Sequence, residues 1–183
     1  MSDILVVIPS RLESTRLAQK PLADIGGTPL VVHAWRHAVN ADVGEVIVAC
    51  CSEQVADVVE SSGGKAVLTD PALPSGSDRV HAAAQAIGGS AEIIVNLQGD
   101  LPSIRPETVR GALKPLDNPQ IDIGTVAAIM APELKNEPSA VSIATHLDEN
   151  GLGRALYFSR SPIPWGEGPL YHHVGLYAYR RNA

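Results

Sequence analysis

Apolar residues fall into two rhythms along this chain. Unbroken short runs at 4–8, 45–49, 66–68 and 93–97 read as strands buried on both faces, as in a parallel sheet. Between them, apolar positions recur at helical spacing over 29–40, 53–61 and 78–87, and a further helix is expected at 106–113, stopped before Pro115. Gly63 and Gly64 close the second helix with residues suited to left-handed backbone angles. Ser77 or Asp78 is the expected cap of the third. This βαβαβαβ alternation predicts a mainly parallel sheet with helices on both faces. Beyond residue 115 the rhythm changes. Runs at 123–130, 140–146, 154–158 and 174–179 look like strands with little helix between them, so the second half is expected to be mixed or partly antiparallel.

The 183 residues suit one domain, long enough to bury a real core. At 45% hydrophobic but only 4% aromatic, the chain must build its core from Val, Ile, Leu and Ala. A net charge of −6 argues against nonspecific nucleic-acid binding. The two cysteines, Cys50 and Cys51, are adjacent and poor disulfide partners, which fits a reducing compartment. No run reaches the length of a membrane span and no signal peptide is legible, so a cytoplasmic protein without a membrane partner is expected.

The loop after the first strand holds Arg11, Arg16 and Lys20 with the hydroxyls of Ser14 and Thr15. Open α/β sheets bind ligands at the carboxyl ends of their strands. Cations there suit a polyphosphate, since Arg grips phosphate oxygens in pairs and Lys adds a point charge. The plainer reading is a solvated basic loop. Asp100 follows the strongest strand and reads either as a Mg²⁺ ligand beside such a polyphosphate or as a turn residue with Gly99. The segment 75–79 opens the third helix, where exposed N–H groups favour anionic or polar ligands, although capping alone explains its composition. Arg160, in a strand end leading to two prolines and Trp165, has the reach for a substrate carboxylate.

Other chemistries lack their motifs. There is no Gly-x-x-x-x-Gly-Lys-Ser/Thr, no Gly-x-Gly-x-x-Gly after the first strand and no Gly-x-Ser-x-Gly. His33 and His37 share a helix spacing without the glutamate of a zincin, and His172 and His173 point to opposite faces of a strand, so at most one lines a site.

Four segments taken together, 9–22, 75–79, 96–102 and 155–165, resemble in order and spacing the 3-deoxy-manno-octulosonate cytidylyltransferase (CMP-Kdo synthetase) family. The closing run His173-Val174-Gly175-Leu176-Tyr177-Ala178-Tyr179-Arg180 fits the same family. The resemblance implies a Rossmann-like nucleotidyltransferase fold, with a nucleotide-binding half at 1–115 and a sugar-binding and sheet-extension half at 116–183. It also implies transfer of CMP from CTP to the anomeric hydroxyl of 3-deoxy-D-manno-octulosonate (Kdo), for lipopolysaccharide synthesis. On this analogy Arg11, Arg16 and Lys20 hold the triphosphate and Asp100 carries Mg²⁺. Ser10 and the segment Ser75, Gly76, Ser77 and Arg79 serve the nucleotide side. Gln98, Arg160, His173 and Tyr177 orient the sugar. An enzyme for another acidic sugar (8-amino-Kdo or sialic acid) and a noncatalytic nucleotide-binding module are the alternatives.

Two departures accompany the resemblance. Leu101 stands where the family has a glutamate. Family members also continue past the Tyr-x-Tyr-Arg strand with a tail carrying a further metal-ligating Asp and much of a homodimer interface. The expectation for a chain lacking that tail is nucleotide binding with reduced or absent turnover.

Overall fold

The computed structural model describes residues 3–12 and 19–183. In chain order the elements begin with β1 (Ile4–Ser10), a 3-10 turn at Lys20–Leu22, β2 (Asp24–Ile25), β3 (Thr28–Pro29) and α1 (Leu30–Asn40). Next come β4 (Glu45–Cys50), α2 (Glu53–Ser61), β5 (Ala66–Leu68), α3 (Gly76–Ala86), β6 (Ile93–Leu97) and α4 (Pro106–Leu113). The series ends with β7 (Ile123–Ile129), β8 (Ser142–Leu147), β9 (Gly153–Ser159) and β10 (Tyr171–Arg180). The chain divides into two compact units, one of residues 1–124 with 176–183 and one of residues 125–175.

In the first unit the sheet order is β5-β4-β1-β6, with β1 parallel to both β4 and β6, and β4 parallel to β5. The far end of β10 completes it, antiparallel to β6, with Leu176 opposite Leu97 and Arg180 opposite Ile93. This is the mainly parallel mixed sheet that the alternating pattern predicts. Its strands are largely apolar because helices cover both faces. Leu5, Val7, Ile47, Ala49 and Ile94 pack with Val80, Ala83 and Ala84 of α3. Val6 and Ile8, which alternate to the opposite face, are fully buried on the side where α1 meets β1 and β4.

Local chemistry sets the helix ends. After α2, Gly63 takes φ +89°, the Gly63 N–H donates to the Glu60 carbonyl at 2.9 Å, and the Gly64 N–H donates to the Val59 carbonyl at 2.9 Å. These paired bonds form a Schellman stop. The helix expected at 78–87 instead begins at Gly76, and its cap is Ser75 rather than Ser77 or Asp78. The Ser75 Oγ accepts the Asp78 backbone N–H at 3.2 Å and donates to the Asp78 carboxylate at 2.5 Å. That reciprocal arrangement, with an acid at the third helical position, favours the earlier start.

In the second unit β8 and β9 form an antiparallel pair with an irregularity between Ala144 and Thr145. Tyr171 and His172 of β10 pair with Ile143 and Ser142 of β8. The antiparallel pairing accounts for the loss of helical rhythm beyond residue 115, since such strands need no crossover helix. No helix among the described residues is long and apolar enough to cross a membrane.

Candidate active site

Four parallel strands of the first unit bring Ser10, Cys50, Leu68 and Leu97 to one sheet edge, and the loops that follow them carry most of the candidate chemistry. Ser10 is buried at the end of β1, and its hydroxyl has no hydrogen-bond partner among the described residues. Arg11 beside it is exposed. Arg16, Ser14 and Thr15 lie outside the described residues. Lys20 and Asp100 meet: Lys20 Nζ lies 2.7 Å from Asp100 Oδ2, with both side chains substantially exposed. The basic loop and the β6 exit therefore share one charged centre.

Small residues allow these segments to close up. A Cβ on Gly99 would lie 3.1 Å from the Pro9 carbonyl oxygen and 3.4 Å from Ile8 Cγ2. A Cβ on Gly76 would meet Pro9 Cγ at 3.5 Å and Gln98 Oε1 at 3.8 Å. The capped start of α3 thus sits against the ends of β1 and β6. Leu101 is half-buried in the turn after Gln98, its N–H directed to the Gln98 carbonyl at 3.4 Å, and its side chain has no atom able to bind a metal.

Arg79 is turned inward. It is 2% exposed and donates to Thr69 Oγ1 and to the Asp70 carbonyl at 3.2 Å, tying the first turn of α3 to the exit of β5. Thr69 in turn donates its hydroxyl to the Cys50 carbonyl at 3.0 Å. Tyr177 is half-buried, and burial pushes its hydroxyl above the ordinary tyrosine range. Its ring stacks on Tyr179 at 5.7 Å between centroids. Gln98 is anchored through its Nε2 to Asn96 Oδ1 at 3.0 Å.

Two other expected residues belong to the second unit. Arg160 is exposed and donates one guanidinium N–H to the Pro138 carbonyl at 2.8 Å. Most of its fork of donors lies beyond that bond. His173 is 8% exposed, with Nε2 2.9 Å from Thr125 Oγ1 and its ring edge-on to Phe158 at 4.9 Å. Burial, helped by the neighbouring His172, holds its imidazole below the usual histidine pKa.

Sequence reasoning did not single out Asn96, Thr69, Thr125 or Tyr179 for a role. Asn96 carried one faint signal, a carboxamide inside an otherwise apolar strand run; the other three carried none that separates them from ordinary strand or loop residues.

Among the described residues no group of three or more His, Cys, Asp or Glu side chains could hold a metal on its own. Asp100 offers a single exposed carboxylate. That donor set fits a hard cation which keeps waters and shares phosphate oxygens, and does not fit an all-protein cage.

Residues 5–183 match the sequence model of the cytidylyltransferase family. The 3-deoxy-manno-octulosonate cytidylyltransferase of Methylorubrum extorquens (strain PA1) is 50% identical over 186 residues, spanning 100% of this chain and 75% of the relative. That of Parvibaculum lavamentivorans is 53% identical over 182 residues, spanning 98% of this chain and 70% of the relative. A solved structure of CMP:2-keto-3-deoxy-manno-octonic acid synthetase complexed with CTP superposes with a TM-score of 0.87 at 38% identity, over 99% of this chain and 75% of that one. The 4-diphosphocytidyl-2C-methyl-D-erythritol synthase of Anaerococcus prevotii shares the fold, with a TM-score of 0.60 at 10% identity. With half of its residues shared across nearly its whole length, the chain belongs to the 3-deoxy-manno-octulosonate cytidylyltransferase family.

Proposed function

We propose that this protein transfers CMP from CTP to Kdo, giving CMP-Kdo and pyrophosphate. The observation that carries the reading is the Lys20–Asp100 pair, set at the carboxyl edge of the parallel strands. It lies in a chain about half identical to enzymes named for this reaction. In the step, the anomeric hydroxyl oxygen of Kdo bonds to the α-phosphorus while the bond from that phosphorus to the bridging oxygen breaks. Pyrophosphate leaves, and the hydroxyl proton passes to solvent. No protein nucleophile is needed; positioning and charge neutralisation lower the barrier.

In this reading Arg11, Arg16 and Lys20 bind the triphosphate and offset charge on the leaving group. Ser10, whose hydroxyl has no partner among the described residues, and the start of α3 at Ser75, Gly76 and Ser77 serve the nucleotide. Arg79 supports that side by holding the β5 exit against α3. Gln98, Tyr177, His173 and Arg160 serve the acidic sugar, with Arg160 suited to its carboxylate. Asp100 would hold Mg²⁺, exchanging part of its contact with Lys20 as the nucleotide arrives. A bound Mg²⁺ would neutralise charge on the phosphate oxygens. On this reading the product would feed lipopolysaccharide assembly and the reaction would run in the cytoplasm.

The test is Mg²⁺-dependent pyrophosphate release from CTP with Kdo, alongside UTP and sialic acid controls and an Asp100→Ala variant. Release confined to CTP with Kdo and lost in the variant is expected. Equal release with sialic acid would move the substrate to another acidic sugar, and CTP binding with no release under any condition would leave a nucleotide-binding module.

A further inference from the structure

Asn96 lies in β6 with 0% of its surface exposed, so its carboxamide must find partners inside the protein. It does so in two directions. Its Oδ1 accepts from Gln98 Nε2 at 3.0 Å, and its Nδ2 donates to Ser77 Oγ at 3.4 Å. One side chain therefore joins β6 to the first turn of α3. Antiparallel pairing of β10 with β6 sets Tyr177 opposite Asn96 and Tyr179 opposite Ile94, so all of these side chains share the face that α3 covers.

The consequence falls on Gln98. A free glutamine offers a donor end and an acceptor end and can reverse them. Here the nitrogen end is engaged by Asn96, while Oε1 is turned toward Gly76. We infer that Asn96 is a positioning residue that holds Gln98 with its carbonyl oxygen outward, so that Gln98 accepts a hydrogen bond from a substrate hydroxyl. This rests on the proposed transfer between CTP and Kdo. The hydroxyl belongs either to the sugar or to the ribose, and both present the same chemistry.

The experiment measures kcat and KM for wild type, Asn96→Ala and Asn96→Leu with Kdo and CTP, with deoxy-Kdo analogues lacking one hydroxyl at a time, and with 2′-deoxy-CTP. Wild type is expected to lose roughly tenfold in kcat/KM on the analogue lacking the hydroxyl that Gln98 accepts. In Asn96→Ala that penalty should shrink to less than about twofold, because a freed Gln98 no longer prefers the hydroxyl. Asn96→Leu fills the same space without the acceptor and should reduce the penalty in the same direction; it carries the comparison if Asn96→Ala does not fold. Loss of the penalty on a deoxy-Kdo assigns the hydroxyl to the sugar, and on 2′-deoxy-CTP to the ribose. A purely structural role for Asn96 would slow all substrates alike. An unchanged penalty in the variants, or no penalty on any analogue in wild type, overturns the inference. Failure of the underlying reading looks different: wild type then releases no pyrophosphate from CTP and Kdo at all, and the inference falls with it.

Discussion

Lys20 and Asp100, separated by 80 positions in the sequence, are joined by a 2.7 Å ion pair at the edge of the sheet. Each half of the pair suits one part of a metal–triphosphate complex, so together they hold both groups near the place where that complex would sit. Because both side chains are well exposed, the pair contributes little to folding, within about 1 kcal/mol. Asp100→Ala and Lys20→Ala are therefore expected to leave the melting temperature nearly unchanged while lowering kcat by about 10²–10³-fold. Thermal melting together with pyrophosphate release checks both halves of that statement, and a large fall in stability would make the pair structural.

In the proposed reading Ser75 joins a structural duty, the cap of α3, to a functional one on the nucleotide side. Its loss removes the cap of α3, at a cost of about 0.5–2 kcal/mol. Ser75→Ala should thus lower the denaturant midpoint and raise the KM for CTP more than it lowers kcat. Ser75→Asp should restore the cap, and recovery of stability without recovery of KM would separate the two duties.

At Gly99 the constraint is steric. The Pro9 carbonyl stands 3.1 Å from where a Cβ would be, and backbone cannot step aside as a flexible side chain does. Gly99→Ala is expected to cost about 1–3 kcal/mol and to shift the β6 exit, carrying Asp100 with it. A crystal structure of the variant would show whether Asp100 has left Lys20, and an unmoved pair with full activity would remove this glycine from the argument.

His173 makes the second unit sensitive to acid. Its folded-state pKa is depressed, chiefly by burial and then by the charge of His172. The unfolded chain, with an ordinary value near 6.5, therefore takes up the proton first. Stability is full above about pH 6.5 and declines as the pH falls toward the folded-state value. Melting temperatures from pH 8 down to pH 5 should fall less steeply for His173→Gln than for wild type. Parallel slopes would show that other groups govern the acid limb.

Much of the first unit was legible because strands buried on both faces leave unbroken apolar runs, and β5 and β6 fall where those runs do. The start of α3 was less so. Residues 75–78 offer several capping side chains in a row, and only the Ser75–Asp78 geometry selects among them. The start of β10 was also missed, since Tyr171 and His172 do not look apolar yet pair with β8. For the site, the charged residues announced themselves by type and position, but the bond between Lys20 and Asp100 did not. The Asn96–Ser77 bond was out of reach for the same reason: it depends on α3 packing against β6, a meeting of distant segments that no local pattern encodes.

The inward guanidinium of Arg79 has a consequence for how the protein responds to ionic strength. Among the described residues no carboxylate pairs with it; neutral oxygens of Thr69 and Asp70 receive its N–H groups, and its charge stays uncancelled in the interior. Mobile ions screen surface charges over about 8–10 Å but reach a buried one poorly. Affinity for an anionic ligand at this edge should accordingly have two parts. One, from exposed cations such as Arg11 and Lys20, fades as salt is added, and the other, from Arg79, persists as a floor beneath it.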